Sequence, residues 1–148
     1  MYNIGEVSEM TGLPVSTLRY YDKQGLFPDL QRTSGIRKFS DKEIEVLRVV
    51  ECLKKSGLSI SDIRLFIDWC AQGADTFEQR KQLLERQRKK VEAEIRHLNK
   101  VLDMLNFKCW FYEQALLDGD DKRVRSLLPD KLPSEIRKCY DNAHSDEI

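Results

Sequence analysis

The stretch Thr11-Gly12-Leu13-Pro14-Val15-Ser16-Thr17-Leu18-Arg19-Tyr20-Tyr21-Asp22-Lys23-Gln24-Gly25 decides how the first half of this chain folds. Thr11-Gly12 stops a short helical pattern in which Asn3 and Glu6 have the spacing of a capping box and Ile4, Val7 and Met10 recur at helical intervals. Ser16 to Tyr21 start or lie within a second helix, which ends by Gly25. Two short helices joined by a turn of about three or four residues make a helix-turn-helix.

Working outward, Leu30, Ile36 and Phe39 are placed to anchor a short hairpin whose tip is Thr33-Ser34-Gly35. Ser40 and Glu43 form a second capping box, and Ile44, Leu47, Val50 and Leu53 make one apolar helical face that Gly57 ends. A fourth helix runs from about Ser59 to Ala71, burying Ile60, Ile63, Phe66 and Ile67, with Gln72-Gly73 at its end. These elements define a head over residues 1–73.

Residues 75–113 have a different rhythm. Phe77, Leu84, Val91, Leu98, Leu105 and Tyr112 recur every seven residues, interleaved with Lys81, Arg88, Ile95, Leu102 and Cys109. Spacing of three and four over about five heptads, with no glycine or proline, predicts one helix with a coiled-coil seam. At about 1.5 Å per residue, a helix of roughly 35–40 residues spans on the order of 55 Å. Short neighbours cannot cover such a stripe, so a second copy of the chain is the economical partner. The plain alternative is a monomer with the helix folded back on its tail. Lys81 and Arg88 interrupt the seam at its start, where the stripe meets another domain or frays outward. Residues 114–148 form a shorter helical tail containing Pro129 and Pro133.

The composition constrains the chemistry. The chain has 148 residues, with 25 Lys and Arg balanced by 25 Asp and Glu, so it has no polybasic tail and is not uniformly basic. The balance is uneven along the chain: residues 12–39 hold five basic residues against two acidic, while residues 114–148 hold six against eight. A local patch, not a total, is what binds phosphate. No apolar run approaches the roughly 18 residues of a membrane span, and the N-terminus does not read as a signal peptide. The four cysteines are far apart, with no C-x-x-C pair, which fits a cytoplasmic protein with reduced thiols. A nucleotide loop, a metal set and paired acids in a catalytic context are all missing, so neither an enzyme nor a cofactor is expected.

The basic excess of residues 12–39 falls on the second helix and the hairpin. Arg19 suits a guanine edge, where a guanidinium makes two parallel bonds. Ser16 and Thr17 lie near a helix N-terminus, which favours an anion. Tyr20, Tyr21, Arg32, Arg37 and Lys38 suit backbone contacts, although one of the two tyrosines is expected to pack inward with Leu18. Double-stranded DNA is the partner these residues point to. A coiled-coil adaptor whose helical head binds protein is the alternative.

The residues Tyr2-Asn3-Ile4-Gly5-Glu6-Val7, Thr11 through Leu26 and Gly35-Ile36-Arg37-Lys38-Phe39-Ser40 resemble the MerR family of transcriptional regulators, with Arg19-Tyr20-Tyr21-Asp22 and Gly25-Leu26 as the most specific signature. Phe39 stands where the family more often has Tyr. The resemblance covers residues 2–70 closely and implies a mainly α fold, a winged helix-turn-helix dimer joined by an antiparallel coiled coil. It also implies binding to a pseudo-palindromic promoter element with an overlong spacer, whose distortion realigns the contact elements of RNA polymerase. Carried onto this chain, Thr17, Arg19 and Tyr20 would serve the major-groove helix, and Tyr21, Arg32 and Arg37 the phosphates and wing.

The inducer is legible only by elimination and resemblance. Metal-sensing relatives carry cysteines before and after the dimerisation helix, and Ala74-Asp75-Thr76-Phe77 and 116–121 have none. Asp118, Asp120 and Asp121 lack a full calcium-loop pattern and read as an exposed acidic turn, and His97 and His144 as surface residues. Multidrug-sensing relatives append a larger domain than the residues after the coil provide. The segments around Cys52, Asp68-Trp69-Cys70 and Phe107-Lys108-Cys109-Trp110-Phe111-Tyr112 resemble the thiol- and aldehyde-responsive branch, which implies that Cys52 meets a small electrophile or oxidant. Arg48, Lys54 and Lys55 favour a thiolate there and Glu51 opposes it. A small buried apolar role for Cys52 stays open, Cys109 is expected to be core, and Cys70 and Cys139 are weaker candidates.

Overall fold

The computed structural model describes residues 1–145, which pack as two compact units, Met1–Arg88 and the residues from Lys89 onward. The first unit opens with α1, Ile4–Thr11. Both halves of its capping box form: the Asn3 side chain accepts from the Glu6 amide at 2.9 Å, and the Glu6 carboxylate accepts from the Asn3 amide at 2.7 Å. Gly12 ends the helix at φ 76, a left-handed conformation that a Cβ penalises. Pro14 then sets up α2, Val15–Lys23, without a side-chain cap.

The hairpin is β1, Gln31–Thr33, antiparallel to β2, Ile36–Lys38. Its two-residue turn has positive φ at both Ser34 (51) and Gly35 (77), the sign pattern of a type I′ turn, whose twist suits tight hairpins. Tyr2 and Phe39 exchange backbone hydrogen bonds of 2.7 and 2.8 Å, so the chain start is sewn to the hairpin base. Phe39 is buried and meets Phe27 edge-to-face at 5.5 Å, and Leu30 is half-buried beside this core. Ile36 does not share the anchoring expected of it: it pairs with Thr33 beside the turn and is 59% exposed. Only the base of so short a hairpin reaches the head.

Helix α3, Asp41–Lys55, starts where the Glu43 carboxylate accepts from the Ser40 amide at 2.8 Å and from its hydroxyl. Its Ile44, Leu47, Val50 and Leu53 are all buried. Helix α4, Ile60–Gln72, buries Ile63 and Ile67, with Ile60 and Phe66 partly buried against the same core. A 3-10 turn, Ala74–Thr76, leads into α5, Phe77–Asp118, a single helix of 42 residues.

Packing divides the chain later than the sequence pattern does. Leu83 is buried in the head core, and Gln87 donates to the Ser56 carbonyl at 2.7 Å, so the first turns of α5 belong with the head. Lys81 and Arg88, which interrupt the seam, are exposed, with Lys81 3.5 Å from Glu85 one turn on. At its other end α5 runs five residues past 113, and the tail proper holds α6, Lys122–Ser126, and α7, Ser134–Ala143. In the second unit Phe107, Val124 and Leu132 are buried, and Tyr140 meets Phe107 edge-on at 5.1 Å. Asn142 donates to Asp103 at 2.6 Å and Lys100 to the Ser145 carbonyl at 2.6 Å. The tail therefore covers the Phe107 face of α5. The opposite, heptad face stays open: Ile95, Leu98, Leu102, Leu105 and Tyr112 are 49–63% exposed.

Candidate nucleic-acid interface

Helix α2 sorts its residues by period. Ser16, Arg19, Tyr20 and Lys23, at i, i+3, i+4 and i+7, are exposed, while Leu18 and Tyr21 are buried. Thr17 lies at the edge, half-buried. The outer face thus presents hydroxyls, a guanidinium and an ammonium on one rigid ridge. No acidic residue sits in the first turn, so the positive end of the helix dipole faces out uncompensated. Such a ridge fits a major groove, with its N-terminal amides near phosphate.

The hairpin is tied to this ridge through Asp22. Its carboxylate, on a side chain only 8% exposed, accepts from Arg32 Nη2 at 2.5 Å and from Arg37 Nε at 2.7 Å. Arg32 and Arg37 stand directly opposite each other in the register. Like charges so placed repel, and Asp22 turns the repulsion into a three-way clamp. The trio keeps a net positive charge beside α2. Lys38 goes elsewhere, because successive strand residues face opposite sides: it lines a recess with Asp29, Ser40 and Lys42. The hairpin therefore brings two of its three expected cations to α2.

Tyr21 departs from its expected phosphate contact. The residue is 1% exposed, and its hydroxyl donates to Glu51 at 2.6 Å while accepting from Lys54 at 3.0 Å. Burial first, then Glu51, push the phenol above its ordinary pKa, and Lys54 opposes them. It is the inward-packing member of the tyrosine pair, tying α2 to α3. Tyr20, 47% exposed, is the outward one. Lys23 completes the ridge though the sequence reading gave it no contact. The i+7 step from Ser16 is the signal for it.

Two family models match the chain. The one described as MerR HTH family regulatory protein covers residues 2–68, and the one described as MerR, DNA binding covers residues 44–106. An uncharacterized HTH-type transcriptional regulator of Haemophilus influenzae is 40% identical over 124 residues, 83% of this chain and 92% of that relative. This chain belongs to the MerR family. Another relative, the HTH-type transcriptional regulator AdhR of Bacillus subtilis, is 38% identical over 89 residues, 58% of this chain and 64% of its own. The crystal structure of HiNmlR, a MerR family regulator lacking the sensor domain, bound to promoter DNA, superposes with a TM-score of 0.62 at 39% identity, over 82% of this chain and 98% of that one. The chain is accordingly a DNA-binding transcriptional regulator, and its relatives are regulators, not enzymes.

For a MerR-family chain the remaining question is what it senses. Cys52 on α3 is exposed, which removes the reading of a buried apolar filler. Its neighbours Glu51 and Lys54 are the two groups that hold Tyr21. Cys109 lies at its expected seam position, on the open face of α5, and is exposed in the single chain. Cys70 is exposed at the edge of a cavity of about 580 Å³ lined by Phe27, Val46, Val49 and Ile67. Cys139 is half-buried, and desolvation, followed by the Asp103 carboxylate, pushes its thiol pKa up. The acidic turn is answered by its own neighbours: Arg123 bonds Asp118, Arg125 bonds Asp121, and Asp120 accepts from the Lys122 amide. His97 and His144 are exposed, with His144 stacked on Tyr140 at 4.1 Å. Among the described residues no group of three or more His, Cys, Asp or Glu is arranged to hold a metal, and no helix is long and apolar enough to cross a membrane.

Proposed function

We propose that the chain acts as a homodimer, paired antiparallel along the open seam of α5, whose two heads read the half-sites of a pseudo-palindromic promoter element. Ser16, Thr17, Arg19 and Tyr20 face the major groove, and Arg32 and Arg37 place the wing on phosphate, with Lys38 at its far side. Two heads fixed to one rod hold the half-sites at a set separation and rotation, so a change in their relative angle becomes twist and bend in the spacer. That distortion realigns the elements that RNA polymerase contacts, in the cytoplasm. The observation that carries this reading is the exposed Ser16, Arg19, Tyr20 and Lys23 ridge clamped to the hairpin through Asp22. The exposed stripe from Ile95 to Tyr112 supports the dimer, because a half-exposed apolar seam gains free energy by burial against its copy.

The regulator responds, in this reading, to a reactive electrophile or oxidant through Cys52, as a stress-response switch of the thiol- and aldehyde-responsive branch. Exposure supports access of the reagent, and an adduct there falls beside the two residues that tie α3 to α2.

Gel shifts with the chain's own promoter region across salt concentrations test the DNA reading. The expected result is a specific complex whose log affinity falls steeply with log salt, weakened by Arg19→Ala by about 1–3 kcal/mol. An unchanged complex with Arg19→Ala would sink the assignment. For sensing, Cys52→Ala is expected to bind DNA normally and to lose transcriptional induction by an aldehyde. Normal induction in that variant defeats the Cys52 claim.

A further inference from the structure

One basic side chain, which the DNA interface does not use, bridges the turn between α4 and α5, beside the head contacts of Leu83 and Gln87. Gly73 ends α4 at φ 86 and ψ −156, and the last carbonyls of the helix lack helical partners of their own. Arg80, one turn into α5, reaches back across the turn. Its Nη2 donates to the Trp69 carbonyl at 3.0 Å and the Gly73 carbonyl at 2.7 Å, and its Nε donates to Thr76 Oγ1 at 3.0 Å. Thr76, 3% exposed, donates its one proton to the Trp69 carbonyl at 2.6 Å, with the Gly73 carbonyl at 2.9 Å. The guanidinium also lies 4.9 Å from the centre of the Phe77 ring. A cation at a helix C-terminus is favourable, and only a planar multi-donor fork spans several acceptors at fixed angles. All these groups lie inside the first compact unit.

We propose that Arg80, with Thr76, is a positioning residue that sets the angle at which the head meets the dimerisation helix, and through it the half-site spacing the regulator accepts. The inference rests on the dimer reading above. A loose junction would let each head still recognise its half-site while following it through a range of separations and rotations. A clamped junction cannot follow. One base pair moves a half-site by about 3.4 Å and roughly 35° around the duplex axis, so a clamped dimer must deform the DNA or lose contacts.

The test uses the full chain and its own promoter region, with one base pair added to or removed from the spacer. Wild type is expected to lose about tenfold or more in affinity for either change. Arg80→Met and Thr76→Val are expected to stay within about threefold of wild type at the natural spacing and to lose less than about threefold when it changes. Thr76→Val removes one hydroxyl and keeps the side-chain shape, so it carries the test if Arg80→Met does not fold. A folded variant that keeps the wild-type spacing profile, whatever its melting temperature, overturns the proposal. So does one that loses all binding, since Arg80 would then serve recognition itself. A wild-type chain indifferent to spacing overturns the dimer reading and this one with it, whereas a sharp wild type with sharp variants overturns this one alone.

Discussion

Asp22→Ala removes the acceptor shared by Arg32 and Arg37, and the structure allows its consequences to be worked out in size and sign. Asp22 is 8% exposed, Arg37 is 29% exposed and Arg32 is 47% exposed. The half-exposed Arg32 regains water when released, so its bond is worth about 0–1 kcal/mol. Arg37 is better covered, and its charge-assisted bond is worth about 1–2 kcal/mol after allowing for partial hydration. The register leaves the two guanidinium groups facing each other unscreened, which adds a few tenths. A loss of about 2 kcal/mol follows, or roughly 4–8 °C in Tm for a chain of this size. The electrostatic effect has the opposite sign. The trio goes from a net charge of +1 to +2, so the slope of log affinity against log salt steepens by about 0.9 per head. Non-specific DNA binding tightens while the ratio of specific to non-specific affinity falls, because the wing is no longer held against α2. Urea melts at fixed protein concentration read the first effect, and salt-dependent gel shifts on specific and random duplexes read the others. A stability loss under about 0.3 kcal/mol together with an unchanged slope would refute the clamp.

Further outcomes follow from the same geometry. Tyr21→Phe loses the bonds to Glu51 and Lys54 and is expected to cost about 0.5–1.5 kcal/mol in urea melts, with the salt slope of DNA binding unchanged. A reduced slope would mean that Tyr21 does touch phosphate. Leu98→Glu and Leu102→Glu together place charges on the open face of α5, and sedimentation should show a monomer that no longer forms the specific DNA complex. A dimer that survives both changes would move the interface elsewhere. With a maleimide at neutral pH, intact-protein and peptide mass spectra should show Cys139 labelled more slowly than Cys52, because its raised pKa lowers the thiolate fraction. Rapid labelling of Cys139 ahead of Cys52 would contradict its burial beside Asp103.

Local rules were sufficient for much of this protein. Capping boxes at Asn3 and Ser40, the stop at Gly12, the turn at Ser34-Gly35 and the heptads beyond Phe77 all depend on interactions within a few residues, so spacing alone reveals them. The outward direction of Ser16, Arg19 and Lys23 on α2 is nearly as local, since it follows from Leu18 going inward. Which tyrosine is buried was undecided until α3 supplied Glu51 and Lys54 to satisfy its hydroxyl.

Only the tertiary structure decided the rest. Asp22, a member of the Arg19-Tyr20-Tyr21-Asp22 signature with no role legible from it, became the clamp for two arginines because the hairpin folds back onto it. Ile36 lost its anchoring role because a hairpin of three-residue strands reaches the core only at its base. Arg80 is one charge among many on a long polar helix, and the turn at Gly73 brings the Trp69 and Gly73 carbonyls within its reach. The sequence by itself determined the elements, their order and the outward chemistry of the second helix, because these follow from backbone hydrogen bonding and side-chain period. The folded chain determined which charges meet, because contacts between residues tens of positions apart exist only after elements pack.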